Sequence, residues 1–124
     1  MKEFAIRENH LFQKAYIKGR RYVTPRVCLY VLRDYKAEKL KKENPRKEYL
    51  NRVGFTATVK LGGAVTRNRC KRIMREAYRE ILRQRPIKKG NLIVITARER
   101  AVTAGKDEVM RDLAYAMDKL ELFA

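Results

Sequence analysis

The sequence predicts an α+β fold in which a small sheet of three to four strands packs with helices, in the order α-β-β-α-β-α. Two short runs, Val27–Leu32 and Leu92–Ile95, are apolar at nearly every position, as in strands covered on both faces. Three longer segments instead repeat their apolar residues at helical spacing, which is typical of helices that pack on a core. Both patterns occur in one chain, so the sequence predicts a sheet and helices together.

The first half of the chain begins with a helix that starts at Asn9 and ends before Gly19. Asparagine is a favourable N-cap, and glycine is common directly after the last helical residue. The strand Val27–Leu32 follows, and Tyr22 and Val23 are expected to add a short strand before it.

The second half opens with Arg52–Val59, where apolar residues alternate with polar ones as in a strand. A long helix is predicted from about Arg67 to Gln84, followed by the strand Leu92–Ile95 and a last helix over Lys106–Leu122. The strand–helix–strand order implies a parallel pair of strands joined by a crossover.

Length and composition predict a single domain over residues 1–124. The chain is 45% hydrophobic, which is enough for a core. Residues 33–51 are mostly charged and contain little that can be buried. We interpret them as a loop within this domain that links two strands.

Charge is the strongest compositional signal. Lysine and arginine number 31 against 14 aspartate and glutamate residues, which gives a net charge of +17. A compact domain with this charge repels itself unless a polyanion neutralises it, and a nucleic acid, a negative membrane surface or an acidic protein could each do so. No apolar run approaches the ~20 residues of a membrane-spanning helix, and no signal peptide is recognisable. We therefore expect a cytoplasmic protein without a membrane partner, and Cys28 and Cys70 as buried free thiols.

The predicted helix after Arg67 has two different faces. One gathers Cys70, Ile73, Met74, Ala77, Tyr78 and Ile81, and the opposite face carries Arg72, Arg75, Arg79 and Arg83. Cations also crowd its predicted first turn behind a Thr66 cap, where the helix dipole disfavours them by ~0.3–1 kcal/mol each. A bound phosphate would resolve this conflict, and Gly62 and Gly63 would let the backbone approach it. The pattern alone does not distinguish RNA from DNA.

Aromatic residues form a second group, with Phe12 and Tyr16 on the first helix and Tyr30 on the strand after it. Such rings can stack on unpaired bases, although aromatics at helical spacing more often belong to the core. His10 is the only histidine, and no paired carboxylates, metal ligands or activated nucleophile stand out. The residues therefore predict a binding protein with no catalytic residues and no metal site of its own.

The segment Gly62–Arg72, read as Gly-Gly-Ala-Val-Thr-Arg-Asn-Arg-Cys-Lys-Arg, resembles the signature of the bacterial ribonuclease P protein component. Phe12–Tyr16 with Gly19 resembles the first helix of that family. Val27–Tyr30 resembles its first main strand, and Val53–Phe55 resembles the strand before the signature. The order of the elements agrees as well, so the resemblance covers most of the chain.

The resemblance implies that this chain is the RNA-binding protein subunit of ribonuclease P. In that enzyme the RNA subunit removes the 5′ leader of precursor tRNA with Mg²⁺, and the protein subunit assists it. It also implies a left-handed β-α-β crossover, which is rare. No small-molecule substrate or organic cofactor is implied. The implied contacts to the RNA subunit are Arg67, Asn68, Arg69, Lys71, Arg72, Arg75 and Arg79. The implied leader-binding cleft contains Phe12, Tyr16, Tyr30 and Lys60.

Three other function classes fit the sequence less well. A general RNA-structuring protein would share the charge and the fold class but would need no leader cleft. A protein nuclease would need an acidic metal site, and a DNA-binding protein would be expected to show a recognition motif. The leading hypothesis is therefore a subunit that binds RNA and leaves the chemistry to its RNA partner.

Overall fold

The computed structural model describes residues 4–6, 9–34, 39 and 51–124, which form three helices and five strands. The elements in chain order are β1 (Phe4–Ala5), α1 (Asn9–Lys18), β2 (Arg20–Val23), β3 (Val27–Arg33), β4 (Arg52–Thr56), α2 (Ala64–Gln84), β5 (Asn91–Ala97) and α3 (Lys106–Lys119). Single 3-10 turns lie at Val59–Leu61 and Glu99–Ala101.

The strands form one mixed sheet in the order β1-β4-β5-β3-β2. β4 pairs in parallel with β5 and with β1, and β3 is antiparallel to both β5 and β2. The predicted α+β class, the order of the elements and the parallel pair around the long helix are confirmed. The two-residue β1 was not predicted, because a strand this short has no periodicity to detect. The left-handed crossover stays a prediction.

The helices cover the sheet on two sides. α2 and α3 pack on one face, where the largest core lies. Its central members are Leu29, Val53, Ile93 and Ile95 from strands, with Met74, Ala77, Leu113 and Met117 from helices. α1 packs on the other face, over a smaller cluster of Ile6, Leu11, Ala15, Leu92 and Val94. β5 lies between the two layers, which explains why it is apolar on both faces.

Three predicted boundaries are wrong. β4 ends at Thr56, and Val59 lies in a 3-10 turn with 74% of its surface exposed. Its place in the alternating pattern was therefore coincidental. α2 begins at Ala64, three residues before the predicted Arg67. These two errors arise in one connection, where the chain leaves the sheet and turns directly into the helix. The third is the end of α3, which lies at Lys119 and not at the predicted Leu122, because Glu121 with φ of +57° leaves the helical conformation.

The charged loop predicted over residues 33–51 falls largely outside the described residues, but its two ends are described. Asp34 is 2% exposed, and its carboxylate accepts hydrogen bonds from Arg52 Nε at 2.7 Å and Nη2 at 2.8 Å. Asn51 is equally buried; its amide donates to the Lys88 carbonyl at 2.9 Å and accepts from the Asn91 N–H at 2.8 Å. Both ends of the loop are therefore held by buried polar contacts.

We expect Asp34→Asn to lower the free energy of unfolding by about 1–2 kcal/mol, because it removes the charge facing Arg52 while keeping the shape of the side chain. The loss is modest because the Arg52 side chain is 17% exposed and keeps some contact with water. Urea denaturation followed by circular dichroism measures the change. The matched control is Glu80→Gln, which breaks the exposed Arg83–Glu80 pair of 2.8 Å and should cost less than about 0.5 kcal/mol. Equal effects of the two substitutions would contradict this role for Asp34.

Cys28 and Cys70 are both buried and unpaired, as predicted. Among the described helices, none combines the length and the hydrophobicity that are needed to span a membrane.

Candidate nucleic-acid interface

Helix α2 presents the two faces that its sequence predicts. Its buried residues are Cys70, Ile73, Met74, Ala77, Tyr78 and Ile81, which confirms the predicted core face. On the opposite side the exposed residues include Asn68, Arg72, Arg75 and Arg79. These four lie close together because steps of three, four and seven residues return to nearly the same side of a helix.

The cationic face is largely uncompensated. Arg83 donates to Glu80 at 2.8 Å, so its charge is neutralised locally. Within the described part of the chain, Arg72, Arg75 and Arg79 form no salt bridge with a carboxylate. The predicted cationic stripe is thus reduced to three arginines whose charge faces solvent.

The start of α2 differs from the predicted arrangement. Gly63 is the N-cap residue, Thr66 lies within the first turn, and no side chain caps the helix. Gly62 has φ of +136°, a conformation that favours glycine, and a Cβ there would lie 3.3 Å from Thr66. Arg69 and Lys71 therefore lie beyond the first turn, and the expected conflict with the helix dipole is largely confined to Arg67. A phosphate bound at this helix would therefore contact mainly the exposed arginines.

Arg69 is used within the fold. Its guanidinium donates to the carbonyls of Val102 at 2.8 Å and Ala104 at 3.2 Å, in the segment that leads into α3. These bonds hold α2 against that segment, and an RNA contact by Arg69 stays a prediction. Next to it, burial raises the pKa of the Cys70 thiol, an effect that the nearby Arg69 charge opposes.

Arg67 and Lys71 are partly buried on successive turns of the same helix side. The Nε atom of Arg67 is buried and has no hydrogen-bond partner among the described residues. Only the exposed part of this side chain is therefore available to a phosphate.

On the other face of the sheet, Tyr16 of α1 meets Tyr30 of β3. Their ring centroids are 4.9 Å apart and the rings are inclined by 75°, an edge-to-face contact. The Tyr16 hydroxyl donates to Thr56 Oγ1 at 3.2 Å, and Thr56 Oγ1 lies 2.7 Å from Thr96 Oγ1, within hydrogen-bond distance. The two threonines connect the Tyr16 ring to β4 and β5, which fixes its orientation.

The Tyr30 phenol stays neutral at physiological pH. Burial raises its pKa, the neighbouring Cys28 raises it further, and Arg21 opposes the shift.

The four residues predicted to form one cleft are spread over different surfaces in the described part of the chain. Tyr16 and Tyr30 are in contact, whereas the Phe12 ring lies against Gly54, where a Cβ would be only 2.4 Å from it. Phe12 also lines a groove that reaches α2. Lys60 is exposed in the turn after β4 and lines a different groove, together with Arg98 and Arg100. The structure therefore distributes the predicted cleft over three neighbouring surfaces.

Sequence reasoning did not single out three residues at these surfaces: Phe55, Thr56 and Thr96. Phe55 was expected as an apolar member of the strand before the signature and Thr56 as a polar member of the same strand, whereas no role was predicted for Thr96. Each lies at or next to the carboxyl end of a strand, which is a weak signal by itself. The importance of the threonines follows from contacts between residues 40 positions apart in sequence. That of Phe55 follows from its contacts with Arg75 and Tyr78 on α2.

The described residues contain no group of three or more His, Cys, Asp or Glu side chains close enough to hold a metal ion. His10 is exposed at the start of α1. What the structure brings together is a cationic helix face and a set of partly exposed aromatic rings, an arrangement suited to binding nucleic acid.

Comparison with known proteins gives concordant matches. A sequence model described as Ribonuclease P matches residues 1–121. The ribonuclease P protein component of Alkaliphilus metalliredigens is 31% identical over 119 residues, which cover 96% of this chain and 95% of that protein. The ribonuclease P protein component of Clostridium acetobutylicum is 36% identical over 98 residues, 79% of this chain and 72% of that protein.

Solved structures share the fold. The RNase P protein of Staphylococcus aureus superposes with a TM-score of 0.76 at 23% identity, covering 99% of this chain and all of that one. The RNase P protein of Thermotoga maritima gives a TM-score of 0.68 at 21% identity, covering 90% of this chain and 92% of that one.

Proposed function

The chain belongs to the ribonuclease P protein component family, and we propose that it is the RNA-binding protein subunit of a ribonuclease P, where it assists the RNA subunit in removing the 5′ leader from precursor tRNA. In this role it binds two RNAs: the RNA subunit and the unpaired leader. The chemistry belongs to the RNA subunit, so the protein is a non-catalytic part of an endoribonuclease that works in the cytoplasm.

The observation that carries the proposal is the uncompensated arginine face of α2. Arg72, Arg75 and Arg79 are exposed on a helix whose other side is anchored in the core, so their positions are set by the fold. Guanidinium groups bind phosphate oxygens in a bidentate manner, and a row of them matches the charge of an RNA backbone. We assign this face to the RNA subunit, with Arg67, Asn68 and Lys71 beside it.

The Tyr16–Tyr30 pair supports binding of the leader. Both rings are partly exposed on the sheet face covered by α1, away from the α2 side of the sheet. Unpaired bases stack on such rings without requiring a particular sequence. Two RNA contacts on opposite sides of one small sheet would let the protein hold the leader next to the RNA subunit.

Mg²⁺ enters this proposal through the RNA subunit. The described residues that would contact RNA are arginine, lysine, asparagine and aromatic side chains, which favour phosphates and bases over a hard cation. We therefore assign no metal ligand to the protein and expect it to lower the Mg²⁺ concentration that the RNA needs, by neutralising phosphates.

Cleavage of precursor tRNA by a bacterial ribonuclease P RNA at low Mg²⁺ tests the proposal. With this protein we expect removal of the 5′ leader at the correct position, at least 10-fold faster than with RNA alone, because cationic contacts replace ions in offsetting phosphate repulsion. A protein-only reaction is the control. Cleavage in that control would reveal an active site of the protein itself. An inactive mixture of folded protein and compatible RNA would favour a general RNA-binding role.

A further inference from the structure

A groove of about 520 Å³ connects the edge of the sheet to helix α2. Phe12, Gly54 and Phe55 line it from the side of α1 and β4. Lys71, Arg75 and Arg79 line it from the helix. Since α1 and α2 cover opposite faces of the sheet, the groove passes around the sheet edge from one predicted RNA contact to the other.

The centre of the groove is the Phe55 ring. It is partly exposed, and its inner side makes an edge-to-face contact with buried Tyr78, with centroids 5.9 Å apart and an inclination of 65°. The guanidinium carbon of Arg75 lies over the Phe55 ring, 5.5 Å from its centroid. The ring is thus supported by Tyr78 and covered by a cation, and an incoming base would stack on Phe55 by taking the place of this guanidinium, which would move to the phosphate.

The charges around this ring have one sign. Lys71, Arg75 and Arg79 line the groove, and no acidic side chain is among its described lining residues. The volume lies within the ~300–1,000 Å³ typical of sites for small ligands, so one nucleotide fits. A phosphate on the cations and a base on Phe55 would use both features, whereas an acidic peptide would use the charges alone.

We propose that this groove binds one unpaired nucleotide of the RNA subunit, with its base stacked on Phe55 and its phosphate held by Lys71, Arg75 and Arg79. The inference rests on the proposed function. It adds a base contact next to helix α2, to which the proposed function assigns only phosphate contacts. The RNA subunit is the expected source because the helix wall of the groove continues into the exposed arginine face, with Arg75 and Arg79 common to both. The tyrosine pair assigned to the leader lies on the other sheet face.

The chain contains no tryptophan, so Phe55→Trp places one indole in the groove, which can be excited selectively over the tyrosines. When ribonuclease P RNA is added to the full-length variant, we expect its fluorescence to fall by at least half, because a stacked base quenches an indole, and to level off at one RNA per protein. The matched control is Tyr115→Trp, at a 53% exposed site on α3, where we expect less than a tenth of the signal to change.

Two further variants test the groove without tryptophan, in case the larger indole does not fit at position 55. Phe55→Leu keeps an apolar side chain but removes the ring, and it should weaken binding of the RNA subunit about 5- to 100-fold while the protein stays folded, with a loss of stability below about 1.5 kcal/mol. Phe55→Tyr keeps the ring and should restore binding to within twofold of the original protein.

The outcomes separate this inference from the proposed function. If Phe55→Trp supports tRNA cleavage but its fluorescence ignores the RNA subunit, the nucleotide site is overturned and the proposed function stands. Quenching by a leader oligonucleotide alone, or equally by polyglutamate, would also overturn it by identifying another occupant. If the unaltered protein fails to stimulate cleavage, the proposed function fails first.

Discussion

Replacing Arg72, Arg75 and Arg79 together by glutamine is expected to weaken assembly with the ribonuclease P RNA about 100-fold at physiological salt. Each arginine is exposed and free of carboxylate partners in the described structure, so its charge is available to a phosphate. Losing roughly 1 kcal/mol for each of three charged contacts gives this factor. The fold should survive, because all three side chains lie opposite the buried face of α2.

Salt dependence identifies the mechanism of this loss. Each phosphate contact contributes about 0.7–0.9 to the slope of log K against log salt concentration, so the triple variant should have a slope about two to three units shallower. Titrations at several salt concentrations, by filter binding or fluorescence anisotropy, provide both the affinity and the slope.

The matched control removes the same charge from α3. Lys106, Arg111 and Lys119 are all exposed there, and replacing them by glutamine lowers the net charge equally. We expect a less than fivefold loss of affinity in that variant, since long-range attraction is screened within about 8–10 Å. Similar losses in the two triple variants would show that overall charge, and not the α2 face, drives assembly.

The division of α2 into a buried face and a cationic face was predictable because it depends only on helical periodicity. Six residues were expected in its core face, and the structure buries all six, Cys70 and Tyr78 among them. The apolar runs of β3 and β5 were equally predictable, since a strand with two covered faces must be apolar on both. The local sequence pattern was sufficient to predict a helix or strand wherever that element packs on the core along its whole length.

Other features depended on tertiary contacts and were missed. The start of α2 was placed too late because Thr66 is a good capping residue, whereas the chain uses Gly63 after a left-handed Gly62. Arg69 belongs by sequence to the cationic cluster, yet carbonyls 33 and 35 positions away bind its guanidinium. The residues next to either partner in the sequence give no indication that the two will be in contact.

In the candidate cleft, too, the residues were predictable but their contacts were not. The resemblance of Phe12–Tyr16 and Tyr30 to the family named the aromatic residues, but spacing could not show which rings meet. Phe12 turns toward Gly54 because only a glycine leaves room for its ring at that point of β4. The resulting separation of Phe12 from the tyrosine pair is what makes a distinct groove at the sheet edge visible.

Tyr16→Leu combined with Tyr30→Leu should weaken the holoenzyme's binding of leader-bearing precursor tRNA about 5- to 100-fold, corresponding to ~1–3 kcal/mol for a stacked base. Leucine keeps apolar contact with the small cluster under α1 but offers no ring face to a base. The effect should vanish for a substrate without a leader, and assembly with the RNA subunit should stay unchanged. Competition binding with matched substrates measures this difference.

A second tyrosine pair provides the control for ring loss in general. Tyr22 and Tyr115 also meet edge to face, with centroids 5.8 Å apart, but on the α3 side of the sheet. Their double leucine variant should bind both substrates as the original protein does. If the Tyr16 and Tyr30 variant lost affinity equally for substrates with and without a leader, the pair would be supporting the fold or the tRNA body. Selective loss, with an unchanged melting temperature, would require that the leader itself lie against these rings.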